Sequence, residues 1–403
     1  MPTLRNQIKI AIGYFLLAAI LGMVLRAFYT GEITINYKFI LHTHSHIALL
    51  GWVYLALTTL IYKLFLGPLK LSINYSRIFW FTQASLLGML LTFPFQGYAL
   101  FSIIFSTLFL FASYWFTAFF LKNTPAELRK TNSFRCIRAA LWYLVFSSIG
   151  PWALGAIMNI LGPESAWYRL AIYFYLHFLY NGWMIMALVG LFLYVLEQRQ
   201  IKISDRIFGQ FYWSINLGIS LSFFLSALFA KPPLFLYLIG GTGAVLQLLA
   251  FGILLKGLTK SPKSWDRIFG PFQKLLFKTV LVLLMIKLLL QLTTAFPYFA
   301  DLAATYLDFT IGYLHWTFLG VITIGLFLML DVFGLIKFSR AMMRIYILGF
   351  VSSELLIFYR GISAWLNLTA FQGHAPALLL SSLLMVIALF LLLFKNIRSS
   401  VVH

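Results

Sequence analysis

Runs of about 20 consecutive apolar residues recur along the whole chain, and few folds can accommodate them. At ~1.5 Å per residue such a run forms a helix ~30 Å long, the thickness of a bilayer's hydrocarbon core. Strands that cross a membrane are shorter and alternate apolar with polar residues; that alternation is absent here. Hydrophobic residues make up 62% of the 403 and charged residues only 10%. The mean hydropathy is +0.92. A water-soluble domain needs a polar surface that this composition cannot supply. The predicted class is an all-α, polytopic integral membrane protein, read as a single transmembrane domain over residues 1–403, with the lipid bilayer as its main partner.

Twelve spans are predicted, at roughly 8–29, 38–65, 77–94, 98–121, 137–161, 167–195, 207–230, 233–255, 273–296, 304–330, 342–360 and 376–394. The first is read as a span because its apolar run is too long for a signal-peptide core. Short breaks such as Thr92 to Gly97 and Lys231-Pro232-Pro233 mark tight turns, and no loop is long enough to be a domain. Basic residues test this topology independently of hydropathy. With both termini cytoplasmic, 24 of the 30 lysines and arginines fall on the inside, Lys70, Lys260, Lys263 and Arg267 among them. That bias accounts for the net charge of +20 without nucleic acid and points to the inner membrane of a bacterium. Cys136 is the only cysteine, which excludes an intramolecular disulfide and a multi-cysteine metal site. No repeat is visible residue by residue, although structural repeats often leave weak sequence traces.

Against this apolar background the histidines stand out. The stretch Leu41-His42-Thr43-His44-Ser45-His46 opens the second span with three of the chain's seven histidines. On a helix His42 and His46 share one face, while His44 points about 160° away, toward an interface. His177 lies in the sixth span and His315 in the tenth. With the second, sixth and tenth spans all running inward, His46, His177 and His315 lie ~12–17 Å below the outer boundary at ~1.5 Å per residue. An imidazole at that depth is costly without a partner. One structural histidine can bond a neighbouring helix, but independent ones have no reason to share a layer on three helices.

Twelve spans with histidines in the second, sixth and tenth resemble the catalytic subunit of the haem-copper oxidase superfamily, which includes respiratory oxidases, nitric oxide reductases and NnrS-like membrane proteins. The resemblance rests on His42-x-His44-x-His46 with Gly51-Trp52, on the His177 segment and on His315. It implies a redox protein of electron transport with haem b, bound axially by His46 or His42 and by His315, and walled by Trp52, Trp316, Trp183 and Tyr180. It further implies a copper or other second metal at His177 and an electron donor or partner subunit. The chain departs from that pattern in the seventh span, which has no histidine to complete a copper site, and in the tenth, where His315 stands alone. Oxygen reduction to water is therefore not expected, and handling of nitric oxide, oxygen or electrons is. Arg26, Lys38, Arg169 and Arg360 are outer-side candidates for haem propionates, and Arg26, Arg360 and Asp308 are otherwise read as anchors reaching the membrane surface.

Three other readings stay open. A twelve-span secondary transporter would use Lys287 and Glu354, the latter pair also being a candidate buried ion pair, together with Gln291 and a helix break at Gly240-Gly241-Thr242-Gly243. An intramembrane zinc enzyme would hold its metal through His42, His46 and His177 or His315. A purely structural subunit of a larger complex is the fourth reading.

Overall fold

The computed structural model describes all residues except 1, 32, 68, 70, 71, 260–267 and 399–403. Lys70, Lys260, Lys263, Arg267 and His403 therefore lie outside the described residues. Twelve helices are long and apolar enough to cross a membrane. They are α1 (Leu4–Ala27), α2 (Tyr37–Leu66), α3 (Ser72–Gln96), α4 (Leu100–Asn123), α5 (Asn132–Ile160), α6 (Ala166–Gln198), α7 (Asp205–Ala230), α8 (Leu234–Leu258), α9 (Pro271–Thr293), α10 (Leu307–Val332), α11 (Arg340–Trp365) and α12 (His374–Arg398). This is the all-α polytopic fold expected of an integral membrane protein, and no described residue lies in a strand.

Polar residues cap several helices and so fix where they begin. Asn36 accepts a hydrogen bond from the Phe39 amide at α2, and Thr131 and Ser204 do the same for α5 and α7. Capping satisfies amides that the first helical turn leaves unpaired. Pro94 lies inside the last turn of α3, so the chain reverses at Gly97 and not at the proline. Gly97 has φ +59°, and a Cβ there would lie 2.4 Å from the Phe39 ring.

The chain divides into two compact units, one of residues 1–125 and 326–403, the other of residues 126–325. The first holds α1 to α4, α11, α12 and the end of α10. Its core stacks Phe15 on Trp52, with ring centroids 5.0 Å apart, and sets Phe327 between Trp52 and Tyr346. The second holds α5 to α9 and most of α10; α5 packs on α6, α7 on α8, and α9 on α10.

Burial separates three helices from the rest. The most apolar stretches of α2 and α6 are 94% buried and that of α10 67%, against half or less for the other nine. These are the three that carry the aligned histidines. Apolar side chains elsewhere are exposed in numbers that only lipid can solvate.

Candidate functional site

Each of the three buried helices changes its winding at its histidine. In α2 the α-helical part runs Tyr37–His46 and is followed by a π-helical stretch, Ile47–Tyr54. In α6 it runs Ala166–His177, followed by Phe178–Ile185. In α10 it runs Leu307–His315, followed by Trp316–Ile322. A π turn is intrinsically unfavourable and is usually found where function or packing holds it. A glycine follows each histidine by five positions, giving His46…Gly51-Trp52, His177…Gly182-Trp183 and His315…Gly320. The chain thus repeats every four helices, a regularity the residue-by-residue reading did not find. Two of the glycines explain the local packing: a Cβ on Gly51 would lie 2.8 Å from Tyr14 of α1, and one on Gly182 would lie 2.5 Å from Tyr143 of α5. Gly182→Ala should therefore destabilise the protein by about 1–3 kcal/mol, measurable as a lower melting temperature in detergent.

In the first unit, His46 donates from Nδ1 to the carbonyl of His42, one turn earlier, at 2.8 Å. A carbonyl can only accept, so Nδ1 carries the proton and Nε2 is the lone-pair nitrogen. The ring lies 4.5 Å from Phe93 and 5.8 Å from Tyr98, centroid to centroid, with the Tyr98 hydroxyl 3.4 Å from Nε2. His42 meets the Tyr98 ring at 4.6 Å. His42 and His46 therefore face one aromatic corner at the α3–α4 turn. His44 points the other way, as helical geometry requires, and donates from Nδ1 to the Ala18 carbonyl at 2.8 Å. Its ring fills the space that Gly22 leaves on α1. Trp52 is buried on Phe15 and Phe327.

No protein-family model and no curated protein matches the chain. Its chemistry must therefore be argued from its own residues.

In the second unit, His177 is 2% exposed and engaged through both ring nitrogens. Nε2 donates to the Ile219 carbonyl at 2.8 Å. Nδ1 then accepts from the Asn181 amide at 3.3 Å and the Ser226 hydroxyl at 3.4 Å. The Asn181 oxygen in turn accepts from Lys287, which also donates to Gln291, both at 2.5 Å. Tyr313 donates to the same Gln291 oxygen at 3.3 Å. His315 lies partly buried on α10, and its neighbour Trp316 donates to the Leu283 carbonyl of α9 at 2.9 Å. Among the described residues, no group of three or more histidine, cysteine, aspartate or glutamate side chains is placed to hold a metal ion.

Two expectations are corrected by the structure. Arg26 is not an anchor reaching outward: its guanidinium turns inward to the Ser353 hydroxyl at 2.9 Å, the Ser382 hydroxyl and the Leu378 carbonyl. Lys287 takes amide partners, the side-chain oxygens of Asn181 and Gln291. Nor is α8 broken at Gly240-Gly241-Thr242-Gly243, because the helix runs unbroken through Leu234–Leu258. These glycines allow close approach to α7: a Cβ on Gly243 would lie 2.3 Å from the Ser222 nitrogen. Small residues serve this purpose between membrane helices, and the exposed backbone that a transporter reading would use is absent from that helix.

Proposed function

We propose that the protein is a haem-binding redox protein of a membrane, whose iron the His46 imidazole would hold. The supporting observation is the tethering of His46 Nδ1 to the His42 carbonyl, which fixes the ring and leaves Nε2 as the donor nitrogen toward an aromatic corner. Ligating histidines characteristically bond the second ring nitrogen in this way, which raises their basicity. His46 thus fits the part of a residue that would hold a b-type haem. His177 fits a copper site less well in this arrangement, since its lone pair accepts from two donors, Asn181 and Ser226, where that of His46 faces the Tyr98 hydroxyl.

A b-type haem, when bound, supplies one-electron chemistry and a site for a diatomic gas. The chain's own part is to orient the imidazole through the His42 carbonyl and to exclude water with Phe93 and Tyr98. The electron donor is a partner subunit or a carrier, and the basic bias of the inner loops supports a location in a bacterial inner membrane.

Absorption spectra of protein expressed with ample haem test the reading. A Soret band is expected that His46→Leu removes and His177→Gln leaves in place. The absence of a band, or a band unchanged in His46→Leu, overturns the proposal.

A further inference from the structure

The second unit contains a charge that the haem reading does not use. Lys287, on α9, is 0% exposed and lies at membrane depth. An ammonium in such a place costs several kcal/mol unless a counter-charge meets it. Among the described residues no carboxylate lies within ion-pair distance of Lys287. Its partners are neutral: the side-chain oxygens of Asn181 and Gln291, and the ring faces of Tyr180 and Tyr313 at 5.4 and 5.8 Å.

The hydrogen-bonding inventory is unbalanced in one direction. The Asn181 oxygen accepts from Lys287 and its nitrogen donates to His177. The Gln291 oxygen is shared by Lys287 and Tyr313. Gln291 is 6% exposed, and its Nε2 has no hydrogen-bond partner among the described residues. An ammonium has three N–H groups, and two of those on Lys287 are used. The cluster therefore holds a spare N–H of a cation and a buried amide N–H, while its amide acceptors are taken. A buried donor left unsatisfied carries a desolvation penalty, and an acceptor bearing negative charge would relieve both deficits at once. The surrounding Tyr180, Tyr313 and Phe318 rings, with centroids about 6 Å apart, limit its size.

We propose that Lys287 and Gln291, roofed by Tyr180 and Tyr313, form a binding site for a small monovalent anion. The π-helical turn after His177 helps to build it, because it carries both Tyr180 and Asn181. The His177 chain then has a role of its own: each donor points away from Lys287, toward the Ile219 carbonyl, so the hydrogen bonds hold Asn181 with its oxygen facing the ammonium.

The test is thermal unfolding of the purified full chain in detergent, at constant ionic strength, with sodium bromide or sodium nitrite replacing sodium gluconate. Ligands that bind the folded state raise its stability in a saturable way. The wild type should melt higher in bromide or nitrite than in gluconate, with saturation. Lys287→Met should lose the response, and Gln291→Leu should weaken apparent affinity about tenfold. Gln291→Glu places a carboxylate beside Lys287, so it should melt higher than the wild type in gluconate and no longer respond to bromide. Equal melting of the wild type in all three salts overturns the proposal, as does a saturable response that persists in Lys287→Met. If Lys287→Met does not fold, a full bromide response in Gln291→Glu overturns it.

Discussion

Gly243→Val should abolish accumulation of folded protein, while Gly252→Ala in the same helix should have almost no effect. A Cβ at Gly243 meets backbone in three places: the Ser222 nitrogen at 2.3 Å, the Leu221 carbonyl carbon at 2.7 Å and the Gly218 oxygen at 2.9 Å. Backbone cannot rotate aside as a side chain can, so α7 and α8 would have to separate along their contact. Overpacking that a core can partly absorb costs about 1–3 kcal/mol, and this clash leaves no such relief. Nothing lies within 4 Å of a Cβ at Gly252, where alanine gains about 0.5–1 kcal/mol of helix propensity. Size-exclusion chromatography of the two variants in detergent separates the outcomes. A monodisperse Gly243→Val protein melting near the wild type would show that the contact does not hold these helices together.

Arg26→Met should destabilise the protein by about 1–3 kcal/mol, the cost of removing a charged donor from the Ser353 and Ser382 hydroxyls and the Leu378 carbonyl. Glu354 is 1% exposed, and Arg26 joins its helix, α11, to α12 through Ser353 and Ser382. Ser382→Ala removes an acceptor that Arg26 answers, so the double variant Arg26→Met with Ser382→Ala should lose less than the sum of the two single changes. A double-mutant cycle from thermal melts measures that difference as non-additivity. Strict additivity would mean that the two groups act independently.

Hydropathy made the twelve spans legible because a long apolar helix carries its signal in every residue. Their ends were less so: Asn36, Thr131 and Ser204 cap helices through single hydrogen bonds that no hydropathy window registers. The separation of His44 from His42 and His46 followed from helical geometry alone, and the structure sets His44 against α1 as that geometry requires. Other features depended on a neighbour that sequence does not show. Arg26 looks like any arginine at a helix end until Ser353 and Ser382 are seen beside it, some 330 and 360 positions away in roughly the same region of space. The Gly240 to Gly243 run reads equally well as a break or as a contact surface, and α7 decides between them. The repeat of histidine and glycine was present in the sequence, but it occupies only two positions in each copy. The change of winding that joins those positions is a property of the backbone.

That change of winding also fixes how the three buried helices tolerate lengthening and shortening. A π turn accommodates one more residue than an α turn over the same rise, so each stretch after His46, His177 and His315 stores a surplus residue. Removing one residue from Ile47–Tyr54 would let α2 rewind as continuous α-helix with the residues beyond it still in phase, whereas a deletion in the α-helical parts would turn everything beyond it by about 100°. Only in the second case would the buried residues that follow swing off their partners. Each histidine therefore stands at a fixed point from which the inner half of its helix is indexed. Single deletions in these helices should therefore be tolerated only within Ile47–Tyr54, Phe178–Ile185 and Trp316–Ile322.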